Sequence, residues 1–357
     1  MSDKQQLIHQ LLTTESLDAL LVFGRADLRY FCGFSGTDGV LFISPHRTVF
    51  LTDSRYQEQA RQEVAADEVR CYKGKFEALA KLIEETGCRQ VAFDARQLCV
   101  SEYLELQRQC PSAVTFSPLV EQCKPLRGIK EPAEIACLKQ AADLNRRAFS
   151  ATLPSIRSGV RERDIALELE FNLKKMGGEV NAFDFIVASG LRGALPHGVA
   201  SDKLIMKGDL VTIDFGTRLG GYHSDETVTL AIGPVAGKLR QIFDIVLEAH
   251  DSAMAAARSG MRACELDAVA RDLITQRGYG DYFGHGLGHG VGLEVHEYPT
   301  LTGKSETVLK SGMVVTIEPG IYVPELGGVR IEDTILITDE GHECLTSIPK
   351  QYCQLSS

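Results

Sequence analysis

The chain has 357 residues, more than one domain of ~100 to 200 residues requires, so two domains with a sizeable core are expected. Its 38 Lys and Arg residues against 48 Asp and Glu residues give a net charge of −10, and the basic residues are scattered, which excludes a typical nucleic-acid or anionic-membrane binder. Hydrophobic residues make up 44% and charged residues 24%, and no apolar run approaches the ~18 residues of a membrane span. We therefore expect a soluble globular protein.

The N-terminal stretch and the cysteines indicate the compartment. Residues 1–16 begin with polar and mixed-charge residues and contain no long apolar segment, so they do not resemble a secretory signal. The 10 cysteines are spread thinly without a C-x-x-C pair, which argues against a zinc ribbon or a thioredoxin-type motif. We expect a cytoplasmic protein with reduced thiols.

Residues 1 to about 125 alternate between helix-like and strand-like patterns. After an amphipathic opening come three apolar, strand-like runs, at Ala19 to Phe23, Val40 to Ile43 and Thr48 to Leu51. These changes of period predict an α/β domain. The glycine-rich stretch from Tyr30 to Gly39 lacks the spacing of a phosphate-binding loop and is interpreted as a turn-rich connection.

Four prolines and one glycine lie in the stretch from Cys110 to Pro132, which predicts a domain junction there. The first domain is accordingly assigned to residues 1–125 and the second to residues 126–357. The second domain begins with a predicted helix over Glu131 to Ser150, which a proline opens in the first turn.

Three blocks of the second domain recur in the same order about one hundred residues later, the kind of self-similarity that marks a duplicated unit. The paired blocks are Arg157 to Arg161 with Arg258 to Arg262, Lys207 to Gly216 with Lys310 to Gly320, and Asp225 to Val228 with Glu332 to Ile335. The first pair predicts two helix, turn, helix units. The other two pairs predict corresponding strands that a pseudo-twofold axis brings together at the centre of the domain.

Acidic residues occupy the corresponding positions of these strands. Asp214 stands at the polar end of the run V-T-I-D-F-G, and Asp225 is predicted on the neighbouring antiparallel strand. Glu318 and Glu332 repeat this arrangement in the second half. Four carboxylates that converge on one interior point repel one another and are costly to desolvate without cations, so metal ions are the natural compensation.

The segment from Gly284 to Glu297 contains His285, His289 and His296 among closely spaced glycines. So much glycine makes an α-helix improbable, so the first two histidines do not form the helical motif of zinc proteases. We expect glycine to let the backbone pass close to a ligand or an ion here. His197, in the sequence L-P-H-G, is a weaker candidate.

Together these motifs resemble the dinuclear metallopeptidases of the creatinase/aminopeptidase fold, whose two αβ halves form a "pita-bread" domain. The resemblance runs from about residue 126 to the C-terminus, and residues 1–125 resemble, less specifically, the N-terminal domain of Xaa-Pro aminopeptidases and prolidases. The implied fold class is α/β (α+β), an N-terminal α/β creatinase-type domain followed by a pseudo-twofold pita-bread catalytic domain. The metal ligands implied by the resemblance are Asp214, Asp225, His289, Glu318 and Glu332.

The resemblance also assigns His197 and His296 to the substrate and the transition state, with supporting roles for His285, Tyr322 and Arg330. A carboxylate-rich ligand set suits Mn²⁺, although Zn²⁺, Co²⁺ or Fe²⁺ can also occupy such a site. Two such ions lower the pKa of a shared water and polarise the scissile carbonyl. Glu318 is the best candidate to move the proton of that water.

The leading hypothesis is a peptidase that removes the residue before proline from proline-containing peptides, and a homodimer is expected. A domain the size of residues 1–125 argues against methionine aminopeptidase. The complete ligand set argues against the metal-free creatinase and against an inactive binding module.

Xaa-Pro aminopeptidase and prolidase are harder to separate. Prolidases often place an arginine just after the His-Glu motif, where this chain has Thr300, which favours the aminopeptidase. Arginines of the N-terminal domain, such as Arg25, Arg29 or Arg55, leave the alternative open.

Overall fold

The structure, a computed structural model, describes residues 3–356. These divide into two compact units, one that ends at Arg127 and one that begins at Gly128. No helix within residues 3–356 combines the length and the apolar character that crossing a lipid bilayer requires.

The first unit is built on a mixed sheet with strand order β4-β3-β2-β1-β5-β6. Its strands are β1 Ala19–Val22, β2 Val40–Ile43, β3 Thr48–Thr52, β4 Glu68–Cys71, β5 Gln90–Asp94 and β6 Thr115–Leu119. Its helices are α1 Asp3–Thr14, α2 Arg25–Cys32, α3 Gln57–Glu63, α4 Lys75–Thr86 and α5 Val100–Gln109, followed by a 3-10 turn at Lys124–Arg127. Alternate residues of β1 to β3 enter separate hydrophobic clusters on the two faces, which explains why these strands are continuous apolar runs.

Two predictions in this unit are wrong in part. The predicted loop from Tyr30 to Gly39 starts too early, because Tyr30 and Cys32 are buried in the last turn of α2, which ends at Gly33 with a left-handed φ of 82°. The predicted junction contains β6, which lies at the edge of the sheet and pairs in parallel with β5. An edge strand tolerates Pro118, whose missing N–H need not be paired.

The second unit contains two pairs of long helices and several short sheets. The helices are α6 Pro132–Thr152, α7 Glu162–Lys175, α8 Gly237–Ala256 and α9 Ala263–Gln276. The strands are β7 Val180–Asn181, β8 Ile186–Ser189, β9 Leu210–Phe215, β10 Thr217–Leu219, β11 Tyr222–His223, β12 Glu226–Ile232, β13 Gly288–Gly290, β14 Glu297–Leu301, β15 Val314–Ile317, β16 Gly320–Val323, β17 Gly327–Arg330, β18 Asp333–Ile337, β19 His342–Cys344 and β20 Gln354–Leu355. Short 3-10 turns lie at Leu153–Ser155, Gly190–Ala194 and Gly280–Tyr282.

The predicted duplication is visible in the turns between the helices. Gly159 follows α6 and Gly260 follows α8, and both have positive φ, 87° and 84°, which L side chains adopt only with strain. The next helix after the turn is α7 in the first half and α9 in the second half. In each half an antiparallel pair then follows, β9 with β12 and β15 with β18.

Each half buries its helices against its own sheet. Apolar residues of α6 and α7 pack with those of β9 and β12, and residues of α8 and α9 pack with those of β15 and β18. The helices therefore cover one face of each strand pair and leave the strand ends that carry the acids free to meet.

Candidate metal centre

The four predicted acids line a single cavity of about 640 Å³ in the second unit. Asp214 lies near the end of β9, where it pairs with Thr227, and Asp225 directly precedes β12. In the second half, Glu318 directly follows β15 and Glu332 directly precedes β18. Both halves therefore deliver two carboxylates to the same cavity.

His289 lies among these acids. Its Nε2 atom is 3.3 Å from Oε1 of Glu318 and 3.6 Å from Oδ2 of Asp225. One ligand atom each from Asp225, His289 and Glu332 lies within 4.8 Å of the others, a spacing that suits a shared metal ion. Oxygen and imidazole ligands are those that divalent transition metals accept.

Asp214 contributes a second indication of a cation site. Its Oδ2 atom accepts a hydrogen bond of 2.5 Å from Nη2 of Arg330, whereas its Oδ1 atom is buried without a hydrogen-bond partner among the described residues. A buried carboxylate oxygen that lacks a partner is costly. The residues present therefore fit a bound metal ion.

The pKa shifts reflect the burial of these acids and their repulsion of one another. Burial, together with repulsion from neighbouring acids, raises the pKa values of Asp225 and Glu332 well above those of ordinary carboxyl groups. Burial also acts to raise the pKa of Glu318, but the hydrogen bond and charge of His289 outweigh it and lower this pKa to about 2. Glu318 therefore stays ionised while its neighbours tend to hold protons.

Threonines that we did not predict as site residues orient the acids. Thr227 donates a hydrogen bond of 2.6 Å to Oε2 of Glu332 in the opposite half. Thr316 donates to Oε1 of Glu318 at 3.3 Å and accepts from the backbone N–H of His289 at 3.0 Å. Both threonines stand beside the acids in the repeated blocks, so the repeat contained the signal that could have identified them.

Glycine lets the backbone around His289 pass close to its neighbours. A Cβ atom at Gly288 would lie 2.0 Å from the carbonyl oxygen of Thr316, and one at Gly290 would lie 2.4 Å from that of Tyr298. At such distances a side chain fits only if the backbone shifts. β13 is thereby held between β14 and β15, with His289 directed to the acids.

Two residues of α9, absent from our predictions, hold this glycine-rich segment in place. Arg271 donates hydrogen bonds to the carbonyl oxygens of Phe283 at 2.9 Å and His285 at 2.6 Å. Asp267 pairs with Arg271 and accepts from the backbone N–H of Leu287 at 3.0 Å. The only sequence signal was their spacing of four residues on one helix.

The predicted supporting residues form one network. The hydroxyl of Tyr322 lies 2.9 Å from Nε2 of His285 and accepts a hydrogen bond of 2.8 Å from Nη1 of Arg330. Burial raises the pKa of Tyr322 to about 12, so its hydroxyl stays protonated near neutral pH. His285 and Arg330 line the cavity, whereas Tyr322 is buried and is not among the described lining residues.

Residues 136–339 match the family model described as metallopeptidase family M24, and residues 5–128 match that of the creatinase/prolidase N-terminal domain. The chain belongs to metallopeptidase family M24. The family and the fold class predicted from the motifs are thereby confirmed.

Similar proteins match this M24 peptidase over 95% or more of its length. It is 40% identical to an Xaa-Pro dipeptidase of Pyrococcus furiosus, over 98% of this chain and 99% of the relative. Among solved structures, an Xaa-Pro dipeptidase from Bacillus anthracis is 44% identical with a TM-score of 0.96, and the match covers 99% of each chain. An X-Pro aminopeptidase from Thermotoga maritima is 38% identical with a TM-score of 0.88, and the match covers 95% of this chain and 98% of that one.

His197 and His296 line the same cavity of this M24 peptidase, and both are exposed. The rings of His289 and His296 have their centroids 4.2 Å apart. Burial and then repulsion from His289 lower the pKa of His296, which favours a neutral imidazole. The roles of both histidines and the five-residue ligand set stay predictions that this geometry supports.

Proposed function

We propose that this M24 peptidase is a metal-dependent exopeptidase that hydrolyses the bond between an N-terminal residue and a following proline. The observation that carries the proposal is the convergence of two carboxylates from each half, with His289, on one cavity. The names of the similar proteins, Xaa-Pro dipeptidase and X-Pro aminopeptidase, support the substrate class.

The proposed cofactor is a pair of divalent metal ions, best matched by Mn²⁺, with Co²⁺, Zn²⁺ and Fe²⁺ as alternatives. The side chains that would hold them are those of Asp214, Asp225, His289, Glu318 and Glu332. When bound, the ions supply an activated water and a Lewis acid for the scissile carbonyl.

Residues of the chain transfer the proton, stabilise the developing charge and orient the acids. Glu318, which lines the cavity directly after β15, is the residue proposed to accept a proton there. His197 and His296, on the cavity wall, donate hydrogen bonds to the carbonyl oxygen as negative charge develops on it. Arg330 holds Asp214 in place through its guanidinium.

For substrate length, the cavity of the second unit favours an Xaa-Pro aminopeptidase. Arg330 is the one Lys or Arg among the described lining residues, and its guanidinium is already bonded to Asp214, Tyr322 and the carbonyl oxygen of Pro196. Thr300, where prolidases often carry an arginine, is exposed in this cavity. Without a free lysine or arginine among the described lining residues, the cavity does not require a carboxylate directly after proline.

The second candidate is an Xaa-Pro dipeptidase. It is favoured by the names of two similar proteins, which are 40% and 44% identical to this chain over nearly their whole length. In either case we propose residues 126–357 as the catalytic domain and residues 1–125 as the creatinase-type domain. Residues 5–128 match the model of that N-terminal domain, which supports this division. The homodimer and the cytoplasmic location stay predictions.

A peptide panel tests both points. With Mn²⁺ added, we expect Xaa-Pro-Yaa to be cleaved with a kcat/KM at least tenfold above that of Xaa-Ala-Yaa, about 1.4 kcal/mol in transition-state binding. Equal rates on the two peptides would overturn the proline specificity. A tenfold preference for the Xaa-Pro dipeptide over Xaa-Pro-Yaa would establish the dipeptidase instead.

A further inference from the structure

Each half carries two consecutive acids, and only the first of each pair lines the cavity. Asp225 is followed by Glu226, and Glu332 is followed by Asp333. Successive side chains of a strand point to opposite faces, so the second acids face away from the cavity. Both are buried, with 0% of Glu226 and 6% of Asp333 exposed.

Lys350 lies between these two rear acids. Its Nζ atom is 2.6 Å from Oε1 of Glu226 and 3.3 Å from Oδ1 of Asp333. Its side chain is 6% exposed, so the three charges interact with little screening by water. One ammonium group thus links an acid of the first half to an acid of the second half.

The segment that carries Lys350 binds both strands as well. The backbone N–H of Ile348 donates to Oε1 of Glu226 at 3.1 Å, and Thr346 donates to Oδ1 of Asp333 at 2.6 Å. β20 then pairs in parallel with β12. Nε2 of His250, on α8, lies 3.3 Å from the other oxygen of Asp333.

The described sheets do not pair the two strands, although one backbone hydrogen bond joins them, from the N–H of Glu332 to the carbonyl oxygen of Thr227 at 3.2 Å. β12 belongs to the sheet β20-β12-β9-β8, whereas β18 belongs to the sheet β14-β13-β15-β18-β19. No backbone ladder therefore joins the two strands whose ends carry Asp225 and Glu332. On the cavity side, Thr227 bonds to Glu332, and Thr334 bonds to the carbonyl oxygen of Asp225 at 2.8 Å.

We propose that Lys350 is a positioning residue that sets the distance between Asp225 and Glu332 by joining the acids behind them. The inference rests on the proposed metal-binding role of these two residues. Without the ammonium group, the two rear positions lose the group that holds them together, and their strands would separate at the metal site. Lys350 is not among the described residues that line the cavity, so it acts through the strands.

The experiment compares Mn²⁺ affinity with stability. Lys350→Met removes the link but leaves two buried acids without the ammonium group, so the double variant Glu226→Gln/Lys350→Met restores the net charge of the site. The control is Ile274→Ala, a fully buried core position on α9. Calorimetric titration of Mn²⁺ into chelator-stripped protein gives Kd, and thermal melts of the metal-free forms give Tm.

We expect both lysine variants to bind Mn²⁺ at least tenfold more weakly than wild type. The control should bind Mn²⁺ like wild type, even if its metal-free Tm falls as much as that of the lysine variants. Should neither lysine variant fold, Thr346→Val, which removes a neutral hydrogen bond to Asp333, carries the same test with a smaller expected loss. Wild-type affinity in the folded variants would overturn the role of Lys350 alone. Absence of Mn²⁺ binding by the wild type would overturn the proposed function and this inference with it.

Discussion

Arg330 donates a hydrogen bond of 2.5 Å from Nη2 to Oδ2 of Asp214, so one oxygen of this predicted metal ligand is already held by an internal cation. The other oxygen, Oδ1, is buried and has no hydrogen-bond partner among the described residues. The guanidinium thereby orients Asp214 and leaves Oδ1 available for the ion that we propose. Fixing a ligand in this way reduces the reorganisation that metal binding requires.

The first prediction concerns the guanidinium of Arg330. It donates to Tyr322, to Asp214 and to the carbonyl oxygen of Pro196, a planar set of contacts that an ammonium group cannot reproduce. We expect Arg330→Lys to lower kcat/KM by ~10²-fold or more. Arg146→Lys, which alters an exposed pair with Asp143, serves as the control and should leave kcat/KM unchanged. The same kcat/KM for the two variants would show that the planar guanidinium of Arg330 is not required.

A second prediction uses two glycines of the His289 segment. Gly288→Ala brings a methyl group against the carbonyl oxygen of Thr316, whereas a Cβ atom at Gly284 meets nothing within 4 Å. We expect Gly288→Ala to destabilise the fold by ~1 to 3 kcal/mol or more and to reduce bound metal, because β13 must shift. Gly284→Ala should keep wild-type stability and metal content. Thermal unfolding and elemental analysis check both, and a Gly288→Ala protein with normal metal content would refute the packing argument.

The repeated blocks explain why so much of the centre was predictable. Matching Asp214 with Glu318 and Asp225 with Glu332 required only the internal repeat, and the two strand pairs place all four acids on one cavity. Alternation along a strand also determines which acid of each pair faces inward.

Side-chain contacts to backbone carbonyl oxygens could not be predicted from the repeat or from strand alternation. Arg271 acts on carbonyl oxygens of the glycine-rich segment, which every residue possesses and no sequence motif marks. The helix around Tyr30 was missed because a short helix is stabilised by burial, and burial depends on residues distant in the chain. Lys350 finds Glu226 and Asp333 only after both halves have folded.

A third prediction separates the histidines from the metal ligands. His197 and His296 line the cavity, but neither belongs to the described group of Asp225, His289 and Glu332 that could hold one ion. We expect His197→Ala and His296→Ala each to retain metal while kcat/KM falls by ~10² to 10³-fold. Elemental analysis of the purified variants beside steady-state kinetics is the measurement. Metal lost in parallel with activity would reassign them as ligands.

The fourth prediction concerns substrate length. Thr300→Arg introduces a guanidinium that can pair with the free carboxylate of an Xaa-Pro dipeptide. We expect the ratio of kcat/KM for the dipeptide to that for Xaa-Pro-Yaa to rise about tenfold, 1.4 kcal/mol in transition-state binding. Thr300→Met adds length without charge and should leave the ratio unchanged. A wild-type ratio in the arginine variant would mean that the carboxylate is bound elsewhere.

The central claim is that acids from both halves hold metal ions on which cleavage before proline depends. Its most direct test is to strip the purified enzyme with a chelator, measure bound metal and Xaa-Pro-Yaa hydrolysis, and then restore Mn²⁺, with Asp225→Asn treated in parallel. The account predicts that metal and hydrolysis disappear together, that Mn²⁺ restores both in the wild type, and that Asp225→Asn recovers little of either. Full hydrolysis by protein without detectable divalent metal would contradict it.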